Sequence, residues 1–119
     1  MRVTFGAGVL ARLADEVAAL GLTRVIVLCS PEQEASGKLV ADVLGETAVD
    51  VLPEARMHVP VDLTHRARAR AVESGADGCV AVGGGSAIGL GKAVAVEHGL
   101  PVVAVPATYA GSETTPSGA

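Results

Sequence analysis

The sequence predicts an α/β fold in which a parallel sheet is flanked by helices. Segments with helical spacing of apolar residues alternate along the 119 residues with short runs of consecutive apolar residues. Such runs are typical of parallel strands buried on both faces, and their alternation with helices indicates βα units joined by crossovers. Half of the chain is hydrophobic but only 2% is aromatic, so small side chains fill the expected core. We therefore expect one α/β domain over residues 1–119.

The first half of the chain is predicted to form three strands and two helices. Its clearest strand is the continuous β-branched run Val25–Leu28. Gly21 is a suitable stop for the helix before that strand, and Pro31-Glu32 opens the helix after it. The elements in order are a strand over 3–5, a turn at Gly6-Ala7-Gly8, a helix over 9–20, the strand over 25–28, a helix from Pro31 to Leu44, and a strand over 47–52.

The second half continues the alternation and ends in a polar loop. The predicted elements are a helix over 61–74, a strand over 78–82, a loop over 83–86, a helix over 87–98, a strand over 101–105, and a Thr-, Ser-, Gly- and Pro-rich loop over 106–119. Because the chain stops directly after that loop, we interpret the domain as truncated at its C-terminal end.

Charge and hydropathy argue against nucleic-acid and membrane partners. Thirteen acidic and nine basic residues give a net charge of −4. The small arginine cluster Arg66, Arg68 and Arg70 is typical of a solvated helix face. No apolar stretch approaches the ~20 residues that span a bilayer, and the N-terminus lacks the apolar region of a signal peptide. We expect a cytoplasmic protein.

Cysteines and histidines indicate neither a disulfide nor a metal site. Cys29 and Cys79 both lie in apolar runs, which predicts buried, reduced thiols. His58, His65 and His98 lack metal-ligand spacing, so we expect no metal bound by this chain. No arrangement of a nucleophile with a general base is apparent.

The strongest candidate site is Gly83-Gly84-Gly85-Ser86, which leaves a predicted buried strand and precedes a helix. Consecutive glycines let the backbone approach a bulky anion, and the N–H groups and dipole at a helix start favour phosphate. Ser86 would cap the helix or donate its hydroxyl to the anion. The alternative is a tight turn without a ligand, although three glycines exceed what such a turn needs.

A weaker candidate, Gly6-Ala7-Gly8-Val9-Leu10-Ala11, matches the relaxed dinucleotide fingerprint G-x-G-x-x-A. That fingerprint requires an acidic residue at the end of the next strand, where this chain has Leu28-Cys29-Ser30. We interpret Gly6 and Gly8 as turn residues, with a phosphate or ribose contact as the less favoured alternative.

Glycines within the fourth helix also need an explanation. Gly89 and Gly91 each cost about 1 kcal/mol relative to alanine inside a helix. They serve either close packing or the approach of a ligand. The spacing of Ser86, Gly89 and Lys92 places them near one helix face, from which Lys92 extends either into the site or to solvent.

Two motifs resemble those of the N-terminal domain of the iron-containing (group III) alcohol dehydrogenase family. The family's GGGSxxDxAK block is matched by residues 83–92, and its PTTxxGSE block by residues 106–113. Phe5-Gly6-Ala7-Gly8 and Met57-His58-Val59-Pro60 also fit. The resemblance covers the whole chain but only the first of the family's two domains. It implies a Rossmann-like, dehydroquinate synthase-like N-terminal domain without the helical second domain.

Departures from the family pattern narrow the resemblance. Gly89 replaces the Asp of the first block, Gly91 replaces its Ala, and Ala107 replaces the first Thr of the second block, which removes one hydroxyl. Gly-Leu-Gly-Lys at 89–92 together with Thr-Tyr-Ala-Gly-Ser-Glu at 108–113 is similar to the maleylacetate reductase branch. The metal ligands of the family lie in the second domain, so the resemblance assigns no metal to this chain.

The resemblance implies an NADH- or NADPH-dependent reductase that converts maleylacetate, a small dicarboxylate, to 3-oxoadipate in the degradation of aromatic compounds. The full-length protein would be a homodimer with catalytic residues in its second domain, so the fragment alone would be inactive. The implied cofactor-binding residues are Gly83, Gly84, Gly85 and Ser86 at the pyrophosphate, Thr108, Tyr109 and Ser112 on the nucleotide and nicotinamide side, and Ser30 near the adenosine ribose; Lys92 is the candidate for substrate contact.

Two alternatives stay open. One is a nucleotide-binding fragment without catalysis, and the other is a metal-dependent alcohol or glycerol dehydrogenase of the same family. Gly89 argues against the second, because those relatives keep the Asp. Since Ser30 is neutral where a carboxylate would select NADH, we also expect weak discrimination between NADH and NADPH.

Overall fold

The computed structural model describes residues 2–3, 9–56, 61–83 and 85–105. They form a five-stranded parallel sheet whose strand order is β1-β5-β4-β2-β3. The strands are β1 (Arg2–Val3), β2 (Val25–Leu28), β3 (Ala48–Leu52), β4 (Gly78–Val82) and β5 (Val102–Val105), and the helices are α1 (Val9–Ala19), α2 (Glu34–Leu44), α3 (Val61–Ser74) and α4 (Gly85–His98). The predicted parallel α/β fold is confirmed.

Each face of the sheet carries its own hydrophobic core, because alternate residues of a strand point to opposite faces. Helices α1 and α2 cover one face, where Val27 of β2 packs in a cluster with Leu13 and Val40. Helices α3 and α4 cover the other face, where Leu28 packs with Leu63 and Leu90. Strands β2 and β4 are buried along their whole length between these two layers, as the continuous apolar runs predict.

Where the ends of an element are described, the predicted boundaries agree with the structure to within one residue except at two helix starts. The segment that opens at Pro31 begins as a 3₁₀ turn, Pro31–Gln33, before α2 starts at Glu34. Helix α4 starts at Gly85, two residues before the predicted start. Ser86 therefore lies in the first turn of the helix and does not occupy the predicted cap position. The difference has a simple cause, since glycine's poor helix propensity hides a helix start in sequence.

The two cysteines are free and buried, as predicted. Burial raises the pKa of the Cys79 thiol to about 12. Burial, together with the nearby Glu34 carboxylate, raises the pKa of the Cys29 thiol to about 11. Within the described residues, no helix combines the length and the apolar character needed to cross a membrane.

Candidate functional site

The sheet topology marks one position for a ligand, between β2 and β4. From β2 the chain passes through α2, on one face, to β3, the outermost strand on that side. From β4 it passes through α4, on the opposite face, to β5 in the other direction. The connections that follow β2 and β4 therefore diverge and leave a crevice at the carboxyl ends of the strands. In open α/β sheets, ligands bind in such a crevice.

A pocket of about 370 Å³ lies at this position. Ser30 lines it after β2, and Ser86 lines it in the first turn of α4, so the pocket joins two residues that the sequence proposed separately. Both side chains are half-buried. Among the described residues, the lining consists of Ser30, Pro31, Glu32, Ala55, Arg56 and Ser86. This volume falls in the range of small-molecule sites, which is roughly 300–1,000 Å³.

Gly83 shapes the exit from β4. Its φ of +117° lies in a region that side-chain-bearing residues rarely adopt, so glycine is required there for backbone conformation. Its N–H donates a hydrogen bond of 2.9 Å to the carbonyl oxygen of Val105. That amide is therefore engaged by the sheet, and Gly83 contributes to the site by turning the chain.

Gly85 differs from Gly83 because the described fold gives no reason for a glycine there. Its φ is not in the left-handed region, its position is exposed, and a Cβ built on it meets no atom within 4 Å. It is the first residue of α4, where the N–H groups have no partner within the helix and the dipole attracts anions. The first turn of α4 also carries no acidic residue. This opening suits the close approach of a phosphate to the backbone.

Two charged residues of the pocket, Glu32 and Arg56, were missed in the sequence. Glu32 lies in the 3₁₀ turn after β2, and Arg56 lies four residues beyond the end of β3. Strands β2 and β3 are neighbours, so their carboxyl ends bring these residues to one pocket. The carboxyl ends of parallel strands lie at the same edge of a sheet, which is the signal that could have related the two residues. Using it requires the order of the strands across the sheet, which the sequence does not give. A carboxylate is therefore present near Ser30, two residues later than the fingerprint would place it.

The predicted arginine cluster on α3 is engaged within the protein. Arg66 forms an ion pair with Glu54 at 2.7 Å, and Arg70 forms one with Asp50 at 2.6 Å. The Arg68 guanidinium donates to the carbonyl oxygen of Ala93. These three cations bind groups of the chain itself and do not line the pocket.

The remaining predicted residues of α4 are distributed over different surfaces. Gly91 is buried against the sheet, where a Cβ would lie 3.1 Å from Cγ1 of Val102, so close packing explains this glycine. Lys92 is exposed and does not line the pocket. Ser86 is the only one of the Ser86, Gly89 and Lys92 group that lines the pocket.

Several predicted positions lie outside the described residues. They are Gly6 and Gly8 of the first glycine turn, Gly84 of the second, and Thr108, Tyr109 and Ser112 of the last loop. Over the part of the chain that is described, no group of three or more His, Cys, Asp or Glu side chains could hold a metal ion.

Comparison with known proteins identifies relatives over almost the whole chain. The profile of the family described as iron-containing alcohol dehydrogenase matches residues 1–119. A maleylacetate reductase of Burkholderia cepacia is 56% identical over 97% of this chain and 33% of its own length. The chain therefore spans about a third of the curated relatives that it matches.

Solved structures agree with this comparison. The crystal structure of maleylacetate reductase from Agrobacterium tumefaciens superposes with a TM-score of 0.84 at 44% identity, over 94% of this chain and 32% of that one. The structure of an iron-containing alcohol dehydrogenase from Corynebacterium glutamicum superposes with a TM-score of 0.79 at 41% identity, over 97% of this chain and 32% of that one.

Proposed function

Because the chain belongs to the iron-containing alcohol dehydrogenase family, we propose that it forms the dinucleotide-binding half of an NAD(P)H-dependent maleylacetate reductase. The complete protein would be a cytoplasmic enzyme of aromatic-compound degradation. Relatives named maleylacetate reductase, at 44–56% identity, support this choice of substrate within the family.

The observation that carries the proposal is the pocket between Ser30 and Ser86. A dinucleotide is an extended ligand with a ribose on each side of a pyrophosphate, so its site needs contacts at separate strand ends. The pocket lies where the connections after β2 and β4 diverge. There it offers the start of α4 for contact with the phosphates and the end of β2 for contact with the adenosine ribose.

The residues of this chain would bind and orient the cofactor. Gly83 turns the backbone, Gly85 leaves room for the pyrophosphate, and the Ser86 hydroxyl and the first N–H groups of α4 donate hydrogen bonds to it. When bound, NAD(P)H supplies a hydride, which together with a proton reduces the carbon–carbon double bond of maleylacetate to give 3-oxoadipate. The described residues offer no cluster of metal ligands, and we assign no step to a metal.

The proposal is tested with the complete gene product in an NADH-oxidation assay. We expect oxidation that depends on maleylacetate, with 3-oxoadipate as the product. Binding of NADH without turnover of maleylacetate would contradict the proposed substrate. Failure to bind either NADH or NADPH would contradict the dinucleotide site itself.

Gly85→Ala tests the role of the open helix start. The added Cβ meets no described atom, so we expect the free energy of unfolding to change by less than about 1 kcal/mol, in the stabilising direction. The same Cβ would enter the space proposed for pyrophosphate, so the Kd for NADH should rise about 10-fold or more, the equivalent of at least ~1.4 kcal/mol. Titration calorimetry and chemical denaturation measure the two quantities.

Gly91→Ala is the matched control in the same helix. Its Cβ lies against Val102 on the sheet side of α4, away from the pocket lining. We expect it to alter the free energy of unfolding and to leave the Kd for NADH unchanged. An equal loss of affinity in both variants would indicate a general disturbance of α4 and would contradict the assignment of Gly85.

A further inference from the structure

We infer that Glu32 and Arg56 form a pair of opposed charges that sets the choice between NADH and NADPH, an inference that rests on the proposed function. The two cofactors differ at one group, the 2′-substituent of the adenosine ribose. NADH carries a neutral hydroxyl there, and NADPH carries a phosphate. A carboxylate favours the hydroxyl and repels the phosphate, whereas a guanidinium attracts the phosphate.

Both charged residues line the same pocket as Ser30, which the proposed function puts near the adenosine ribose. Glu32 follows it by two positions in the 3₁₀ turn, and Arg56 approaches from beyond the neighbouring strand β3. The pocket therefore joins an acidic and a basic side chain where the 2′-substituent would lie.

Arg56 is available for a ligand. Among the described residues, its guanidinium forms no hydrogen bond or ion pair, and it is exposed. The nearby carboxylate of Glu54 is already paired with Arg66 at 2.7 Å. Guanidinium groups bind phosphate in a planar, bidentate geometry, which makes Arg56 the pocket residue suited to a 2′-phosphate.

Glu32 is also available for a ligand. It forms no ion pair with Arg56 or with any other residue in the described ranges. Its neighbour Glu34 is instead paired with Lys38 at 3.4 Å. Because Glu32 and Arg56 do not neutralise each other, each acts separately on a ligand between them.

Ser30 leaves space for either cofactor. Its side chain is small and half-buried, and its hydroxyl does not cap the 3₁₀ turn that follows it. An acidic residue at this position would exclude a phosphate by itself. With serine there, the two more distant charges decide the preference, and their opposed effects give a cofactor selectivity close to balance.

Substitution of either charged residue alone should change the ratio of the Kd values for NADPH and NADH, and the two substitutions should change it in opposite directions. Arg56→Gln should raise the Kd for NADPH about 10-fold, because the exposed guanidinium no longer pairs with the 2′-phosphate, and leave the Kd for NADH within about 2-fold. Glu32→Gln should lower the Kd for NADPH and raise that for NADH, each by several-fold. Because the side chains are exposed, both effects should shrink as salt is added.

The experiment measures binding to the complete gene product and its variants at low and high ionic strength. Adenosine 2′,5′-bisphosphate and adenosine 5′-monophosphate serve as additional probes, because they differ only at the 2′-position and lack nicotinamide. Arg12→Gln and Glu46→Gln are matched controls, since they remove the same charges from exposed residues outside the pocket lining. We expect both controls to retain the wild-type ratio of Kd values.

The outcomes separate this inference from the proposed function. If the wild-type protein binds neither cofactor, the proposed function fails. If it binds both, but Arg56→Gln and Glu32→Gln change the NADPH-to-NADH ratio in the same direction or not at all, the opposed-charge pair is wrong and the dinucleotide site stands. Opposite shifts that also appear with the two adenosine nucleotides support the pair.

Discussion

Polar residues have different partners at the edge of the sheet where the strands begin, the amino edge, and at the edge where they end, the carboxyl edge. At the amino edge, before β2 and β4, the Asp77 carboxylate accepts hydrogen bonds from the Thr23 N–H at 2.8 Å, the Thr23 hydroxyl at 2.9 Å and the Arg24 N–H at 3.0 Å. The Arg24 guanidinium in turn donates to the carbonyl oxygen of Ser74 at 2.6 and 2.8 Å. The charged groups of Asp77 and Arg24 are therefore both bound within the chain.

At the carboxyl edge, after β2, β3 and β4, polar groups face a pocket instead. The hydroxyls of Ser30 and Ser86 and the charges of Glu32 and Arg56 have no hydrogen-bond partner among the residues that the structure describes. The comparison teaches that polar groups at the amino edge join the starts of two strands, while those at the carboxyl edge are left facing the pocket. Substitutions at the two edges should therefore affect different quantities.

The largest effect on stability is expected at Asp77. Asp77→Ala removes the acceptor of three hydrogen bonds that link the residues before β2 to those before β4, so the free energy of unfolding should fall by about 2 kcal/mol. Cofactor affinity should be unchanged, because the site lies at the other edge. Denaturation and calorimetric titration of the same samples test this, and a parallel loss of affinity would break the comparison.

The contribution of Asp77 to the free energy of unfolding should also depend on pH, and this change is smaller than the effect of removing the side chain. Burial alone would raise the pKa of the Asp77 carboxyl group, but hydrogen bonds from Thr23 and Arg24 outweigh burial and hold that pKa below its ordinary value. The carboxylate's contribution is therefore complete above the unfolded-state pKa of about 4 and is lost as pH falls through the lower folded-state pKa.

Urea denaturation of wild-type protein and Asp77→Ala between pH 7 and pH 3 measures that contribution. The difference in unfolding free energy should stay constant down to about pH 5 and shrink below about pH 4. A difference that stayed constant over the whole range would show that Asp77 does not act through its charge.

The smallest effect on stability is expected at Ser86. Ser86→Ala removes a hydroxyl that does not hydrogen-bond any other described residue, so the free energy of unfolding should change by less than about 0.5 kcal/mol. The Kd for NADH should nevertheless rise several-fold, because the hydroxyl is proposed to donate to the pyrophosphate. A stability loss above about 1 kcal/mol would give Ser86 a structural role and weaken the contrast between the edges.

Much of the fold could be predicted from sequence because its strands are buried on both faces. The bounds of β2, α3 and β4 were predicted to the residue, since a continuous apolar run or a helical repeat starts and stops sharply there. The start of α4 was predicted late because glycine is a weak indicator of a helix. The bound side chains at the amino edge were not foreseen, because Asp77 and Thr23 are 54 residues apart.

The candidate site was predictable only in part. Ser30 and Ser86 were identified, the first from the family resemblance and the second from its strand–glycine–helix context, and the structure brings them to one pocket. Glu32 and Arg56 were not, because their meeting at one pocket follows from β2 and β3 being neighbours in the sheet. Periodicity gives the order of elements along a chain and does not give their order across a sheet.

The placement of the two cysteines makes each one a chemical reporter for a different layer. Cys29 packs in the cluster under α1 and α2, and Cys79 packs in the cluster under α3 and α4. Both thiols are fully buried, so a thiol reagent reaches either sulfur only when the helices above it separate from the sheet. Alkylation rates of the two cysteines would therefore show which side of the sheet opens first, without any residue being substituted.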